Sequence, residues 1–180
     1  IDPIDGTTNF LYGHPGFAVS IAAERDGSPL LGVVAVPLHL DVVTAVAGEG
    51  AERNGTPIRV SGCSDPSRAL VATGFGYEPE RRRRQAEVVA RIVGDVRDIR
   101  RVGAASVDLC STACGRVDAY YELGIQPWDW AAGALVAREA GARVADLTGG
   151  PLGGGVVLAA PEALWDPLAE LLVAAGAPEV

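Results

Sequence analysis

The stretch Ile1-Asp2-Pro3-Ile4-Asp5-Gly6-Thr7-Thr8-Asn9-Phe10, IDPIDGTTNF, sets two carboxylates and a hydroxyl close together around a proline and a glycine. Two readings compete for it. Asp side chains bond their own backbone in turns, and Pro3 and Gly6 are common turn residues. Equally, a hard divalent cation such as Mg²⁺ takes oxygen ligands at about 2.0–2.1 Å, and short carboxylates, a backbone carbonyl and the Thr7 hydroxyl can converge on one. Neighbouring carboxylates repel when both are ionised, so clustering them favours the cation. A further candidate ligand, Asp129, lies in QPWDWAAGALVAREAG (Gln126 to Gly141). Alone it reads first as the N-cap of a helix that Gly141 terminates.

Outward from the opening stretch, the chain reads as strands. FAVSIAAER (17–25), LLGVVAVP (30–37) and DVVTAVAG (41–48) form an antiparallel meander. Asn54-Gly55 is a hairpin signal, because a type I′ turn needs positive φ at both central residues, and Pro57 to Val60 resumes the strand. ALVATGFG (69–76) reads as a buried strand and Pro79 to Val93 as a helix with Val88, Val89, Ile92 and Val93 on one face. Strand and helix then alternate: strand 98–102, helix 106–114, strand 117–123, helix 129–140, strands 143–146 and 156–159, and a closing helix 163–175. Strand-rich first and alternating afterwards predicts a layered α/β (α+β) protein with two sheets. The expected division is 1–65, a first antiparallel lobe carrying the acidic turn, and 66–180, a second α/β lobe, the two making one domain.

Composition narrows the function classes. The chain has 180 residues, enough to bury roughly 70% of its extended surface. No apolar run reaches the roughly 20 residues of a membrane span, and no cleavable leader is visible, so a soluble, cytoplasmic protein without a membrane partner is expected. The formal charge of −8 argues against direct nucleic-acid binding, which needs many cations on phosphates. All 15 basic side chains are arginine, a bias expected of a GC-rich bacterial genome. Cys63, Cys110 and Cys114 have no histidine close in sequence to complete a zinc site and read as reduced core thiols.

At this point the motifs carry a resemblance. DPIDGTTNF, GEGAERNGTPIRVS (48–61), VGAASVDLC (102–110) and YYELGIQPWDWAAG (120–133) together resemble the inositol monophosphatase family of magnesium-dependent, lithium-sensitive sugar phosphatases. The resemblance implies a layered αβαβα sandwich, two or three Mg²⁺ ions per site, a homodimer and a small polyol phosphate as substrate, with myo-inositol 1-phosphate the first choice. It implies that Asp2 bridges two ions, that the Ile4 carbonyl joins it at the first, and that Asp5 and Asp129 hold the second. Thr7 corresponds to the residue that orients the attacking water, and with Asp2 it is expected to be catalytic. Gly6, Thr7, Gly103, Ala104, Ala105, Glu122 and Asp129 correspond to the substrate site, with Glu122 on sugar hydroxyls.

The family pattern also includes a metal-binding glutamate and helices upstream of DPIDGT. The chain has no Met and begins inside the motif, so it reads as N-terminally truncated, with apolar surface expected on the first sheet. Other sugar phosphates, such as histidinol phosphate or fructose bisphosphate, remain alternatives, as does a non-catalytic binding role. Arg81 to Arg84 read as a solvated helix start ahead of a docking patch or a phosphate contact across a dimer interface, His14 and His39 as without catalytic role, Trp128 as a wall of the site, and Trp165 as part of the closing helix's apolar face.

Overall fold

The computed structural model describes residues 1–179, so Val180, the last residue of the expected second lobe, lies outside it. The chain begins with β1 (Asp2–Asp5), α1 (Thr7–Leu11), β2 (Ala18–Arg25), β3 (Ser28–Val36), β4 (Asp41–Val46), β5 (Gly50–Arg53) and β6 (Thr56–Pro57). It continues with β7 (Leu70–Thr73), α2 (Pro79–Ile92), β8 (Asp98–Arg100), α3 (Ala105–Ala113), β9 (Ala119–Leu123), α4 (Pro127–Glu139), β10 (Ala142–Asp146), β11 (Val156–Pro161) and α5 (Glu162–Ala174). Strands β1 to β6 form one antiparallel sheet in sequence order. The second sheet is mixed, in the order β10-β11-β9-β7-β8, with β7 parallel to β8 and β9.

The layers follow from the side-chain pattern. Along β4, inward Asp41, Val43 and Ala45 alternate with outward Val42, Thr44 and Val46, and the inward face packs on α3 and α4. These helices lie between the sheets, burying Leu109, Leu135 and Val136 with Val34 and Tyr120. They approach so closely that a Cβ on Gly133 would meet the Leu109 Cβ at 2.8 Å. The opposite face of the second sheet buries Val71, Tyr121 and Leu158 beneath α2 and α5 through Ile92, Leu164 and Leu168. The order is therefore sheet, helices, sheet, helices. The outer face of the first sheet leaves Ile21, Leu31, Val42 and Val46 exposed, as expected for its apolar surface.

Three local expectations are corrected. DPID is not a turn but a short strand, bulged in its pairing with β2. The turn follows at Gly6 and opens α1, which the sequence reading lacked. Strand β6 stops at Pro57 because the chain turns away: Val60 N–H donates to Ala140 O at the end of α4, and Ile58 and Val60 pack into the core between the sheets. Strand β7 ends at Thr73, leaving Gly74 to Gly76 as a loop. Trp165 is buried on α5 as expected, with the Arg143 guanidinium 3.7 Å above its ring. Of the cysteines, all free, only Cys110 is a fully buried thiol; Cys63 and Cys114 are half-buried.

Candidate active site

The bulge in β1 and the turn at Gly6 bring the opening carboxylates to one end of the first sheet. Gly6 has φ of +83°, and a Cβ there would lie 2.8 Å from Gly16 O and 3.1 Å from the Ala104 Cβ. Only glycine combines that backbone with so close an approach. The Ile4 amide donates to Asp2 Oδ1 at 3.0 Å, and the Thr7 hydroxyl donates to Ile4 O at 2.9 Å. That carbonyl keeps a second lone pair for another partner.

Asp5 is buried, and its Oδ2 accepts from the Ser106 amide at 2.8 Å and the Ser106 hydroxyl at 2.5 Å. The start of α3 is thereby aimed at a carboxylate, where the helix dipole favours negative charge. Asn9 braces the arrangement from α1, donating to Gly16 O at 2.7 Å and Val102 O at 2.9 Å. Asp129 is not the N-cap of α4 but sits three residues after it, and Gln126 is the cap. The Asp129 Oδ2 accepts from the Gln126 amide at 2.7 Å in a capping box.

One carboxylate oxygen from each of Asp2, Asp5 and Asp129 lies within 4.8 Å of the others. Burial pushes the Asp5 carboxyl up to about 6, overriding the Ser106 hydrogen bonds, with Asp129 and Asp2 adding repulsion. Burial also raises Asp129, again with repulsion from Asp2. Three converging carboxylates, with Asp5 and Asp129 holding protons more tightly than usual, are a donor set that a hard cation relieves. A divalent ion therefore fits the residues present.

The cluster opens into a cleft of about 600 Å³, within the range of small-molecule sites. Asp2, Ile4, Asp5, Gly6, Thr7 and Asp129 line it, and Gly103, Ala105 and Glu122 join them. Ala104 does not reach the cleft wall: it is 3% exposed, and its side chain lies behind, against Gly6. Glu122, near the end of β9, accepts from the Tyr120 hydroxyl at 2.8 Å, and burial pushes its carboxyl up to about 7. Trp128 lines the rim and is 53% exposed, more open than a packing wall. His14 and His39 lie outside the cleft-lining set.

The sequence reading missed Asn9, Ser106 and Arg101, and took Arg81, with its neighbours, for a solvated helix start. Arg81 and Arg101 line the cleft. Asn9 carried a weak signal as a polar residue within the opening motif, the arginine run at Arg81 carried one that was read as solvated, and Ser106 and Arg101 carried none.

The description "Inositol monophosphatase family" matches residues 1–177. The inositol-1-monophosphatase of Mycobacterium bovis is 50% identical over 175 residues, which are 93% of this chain and 60% of that protein. Escherichia coli (strain K12) has a relative named Nus factor SuhB, 43% identical over 151 residues, covering 83% of this chain and 57% of that one. Among solved structures, Mycobacterium tuberculosis SuhB superposes with a TM-score of 0.90 at 46% identity, over 98% of this chain and 71% of that chain. The chain thus spans about 60% of the length of the curated relatives it matches.

Proposed function

The chain belongs to the inositol monophosphatase family, and from that premise we propose that it carries the site of a Mg²⁺-dependent phosphomonoesterase acting on a small polyol phosphate, myo-inositol 1-phosphate first. The observation that supports this most is the convergence of Asp2, Asp5 and Asp129 at one end of a 600 Å³ cleft. Bound there, Mg²⁺ supplies charge to activate water and to stabilise the departing alkoxide.

The chain's own groups divide the remaining work. Asp2, Asp5, Asp129 and the Ile4 carbonyl hold the cations, and the Thr7 hydroxyl, anchored on Ile4 O, orients the attacking water. The Gly6 turn and the Gly103 to Ala105 segment face the phosphate, where backbone amides at the start of α3 favour an anion. Glu122, set beside Tyr120, takes sugar hydroxyls. Phosphate bears negative charge, so cations and amides together offset what the carboxylates alone would repel.

The test is calorimetric titration with Mg²⁺, with phosphate release from myo-inositol 1-phosphate followed on the same protein. Loss of an outer-shell partner costs roughly 10- to 100-fold in metal affinity or activity, so Asp129→Asn should cost at least that much. Unchanged metal binding and turnover in this variant would refute the assignment. A second reading, binding without turnover, draws on the Nus factor name of the Escherichia coli relative. It is favoured if Mg²⁺ binds and no phosphate is released.

A further inference from the structure

Each of the three clustered carboxylates has one oxygen engaged by donors of the protein, but Asp5 is engaged twice over. Asp2 Oδ1 accepts the Ile4 amide, and Asp129 Oδ2 accepts the Gln126 amide. Asp5 Oδ2 accepts both the Ser106 amide at 2.8 Å and the Ser106 hydroxyl at 2.5 Å. A carboxylate oxygen offers about two lone-pair sites. Oδ2 of Asp5 is therefore filled, whereas the amide-bonded oxygens of Asp2 and Asp129 each keep a lone pair. Among the described residues, Asp5 Oδ1 has no hydrogen-bond partner.

Packing fixes this hold on Asp5. Ser106 is fully buried in the first turn of α3, and Asp5 is buried against it. The turn after Asp5 closes on the same helix start, since a Cβ on Gly6 would lie 3.1 Å from the Ala104 Cβ. Asn9 ties down the chain entering α3 through Val102 O. Turning Oδ2 toward a cation would break two buried hydrogen bonds to a charged acceptor, which are among the strong ones.

We propose that the Ser106 hydroxyl sets cation specificity: by filling Asp5 Oδ2 it restricts Asp5 to ligation through Oδ1 alone, which suits Mg²⁺ and handicaps Ca²⁺. The inference rests on the reading that Asp2, Asp5 and Asp129 hold a divalent ion. Mg²⁺ demands near-octahedral ligands at about 2.0–2.1 Å, which single oxygens supply, while Ca²⁺ binds at about 2.3–2.6 Å and accepts both oxygens of one carboxylate. Removing the hydroxyl leaves only the Ser106 amide, so Asp5 Oδ2 regains a lone pair and comes to resemble its two neighbours. The freed site serves the larger ion. Ser106 acts through Asp5 and is a positioning residue.

The test is calorimetric titration of the whole chain with Mg²⁺ alone and with Ca²⁺ alone, at a pH where the carboxylates are ionised. The unaltered protein is compared with Ser106→Ala, Ser106→Cys and Ser111→Ala. Ser106→Ala should lose about tenfold in Mg²⁺ affinity and keep most of its Ca²⁺ affinity, moving the ratio toward Ca²⁺. Ser106→Cys refills the buried space with a weak donor and should move the ratio the same way, which separates the hydrogen bond from packing. A purely structural role would weaken both ions together. Ser111→Ala removes a hydroxyl of the same helix that donates to Val107 O at 2.8 Å, and should leave the ratio as it was. An unchanged ratio in either Ser106 variant, or an equal shift in Ser111→Ala, overturns the proposal. Phosphate release from myo-inositol 1-phosphate is measured separately on the unaltered protein. A shifted ratio without release removes the phosphatase reading and leaves the role of Ser106 standing, whereas release with an unshifted ratio does the reverse.

Discussion

The two sheets bury their strands differently, and the cleft that holds the acidic cluster lies where they meet. In the second sheet β11 is buried at every position from Val156 to Pro161, because helices cover both faces. In the first, β4 alternates between buried and open positions, because α3 and α4 cover one face only. A strand covered on both sides reads as a continuous apolar run, while one covered on one side shows a period of two. The contrast also distributes stability. The second sheet and its helices provide the fully packed platform from which Glu122 and, through α4, Asp129 project, while the first contributes Asp2 and Asp5 from its edge strand.

Core truncation tests this contrast most strongly. Leu158 is fully buried beneath α5, so Leu158→Ala should cost about 2–5 kcal/mol in denaturant unfolding. A cost below about 1 kcal/mol would mean that the second sheet is not the rigid partner.

A second test uses pH at the end of β9. An ordinary glutamate titrates near 4.5, and burial lifts Glu122 to about 7. Below the lower value both folded and unfolded chains hold the proton and no penalty arises. As pH rises through the upper value the folded chain must bury the charge, so stability without divalent ions should fall, by up to roughly 3 kcal/mol. Asp5 shifts in the same direction, so the Glu122 share is the difference from Glu122→Gln, whose stability curve should be flatter over this interval. Identical curves would remove Glu122 as a buried acid.

The smallest expected effect is on the open face of the first sheet. Val46 is 44% exposed, and Val46→Ser should change stability by no more than about 0.5 kcal/mol. A cost approaching that of Leu158→Ala would show that this face is covered in solution, and the contrast between the sheets would be lost.

Much of the architecture was legible because its signals are local. The meander follows from alternation in residues 17–48, the hairpin from Asn54-Gly55, and the helix-covered sheet from the later alternation of strand and helix. Legibility failed where a distant partner overruled a local pattern. Ile58 to Val60 looked like a continuing strand until the Ala140 carbonyl took the Val60 amide. Asp129 looked like an N-cap, yet Gln126 caps the helix, and Asp129 accepts the Gln126 amide while lining the cleft.

By itself the sequence determined the opening carboxylates, the downstream WDWAAG and the family they mark, because those residues form short motifs whose chemistry depends on near neighbours. Tertiary structure alone decided that Asn9 would brace Val102, that Ser106 would hold Asp5, and that Arg81 would part from the three arginines beside it to enter the cleft. The reason is physical. A hydrogen bond or a cleft wall between residues far apart in the chain is set by the packing of sheets and helices, and no periodicity within a single segment encodes which distant surface that segment will meet.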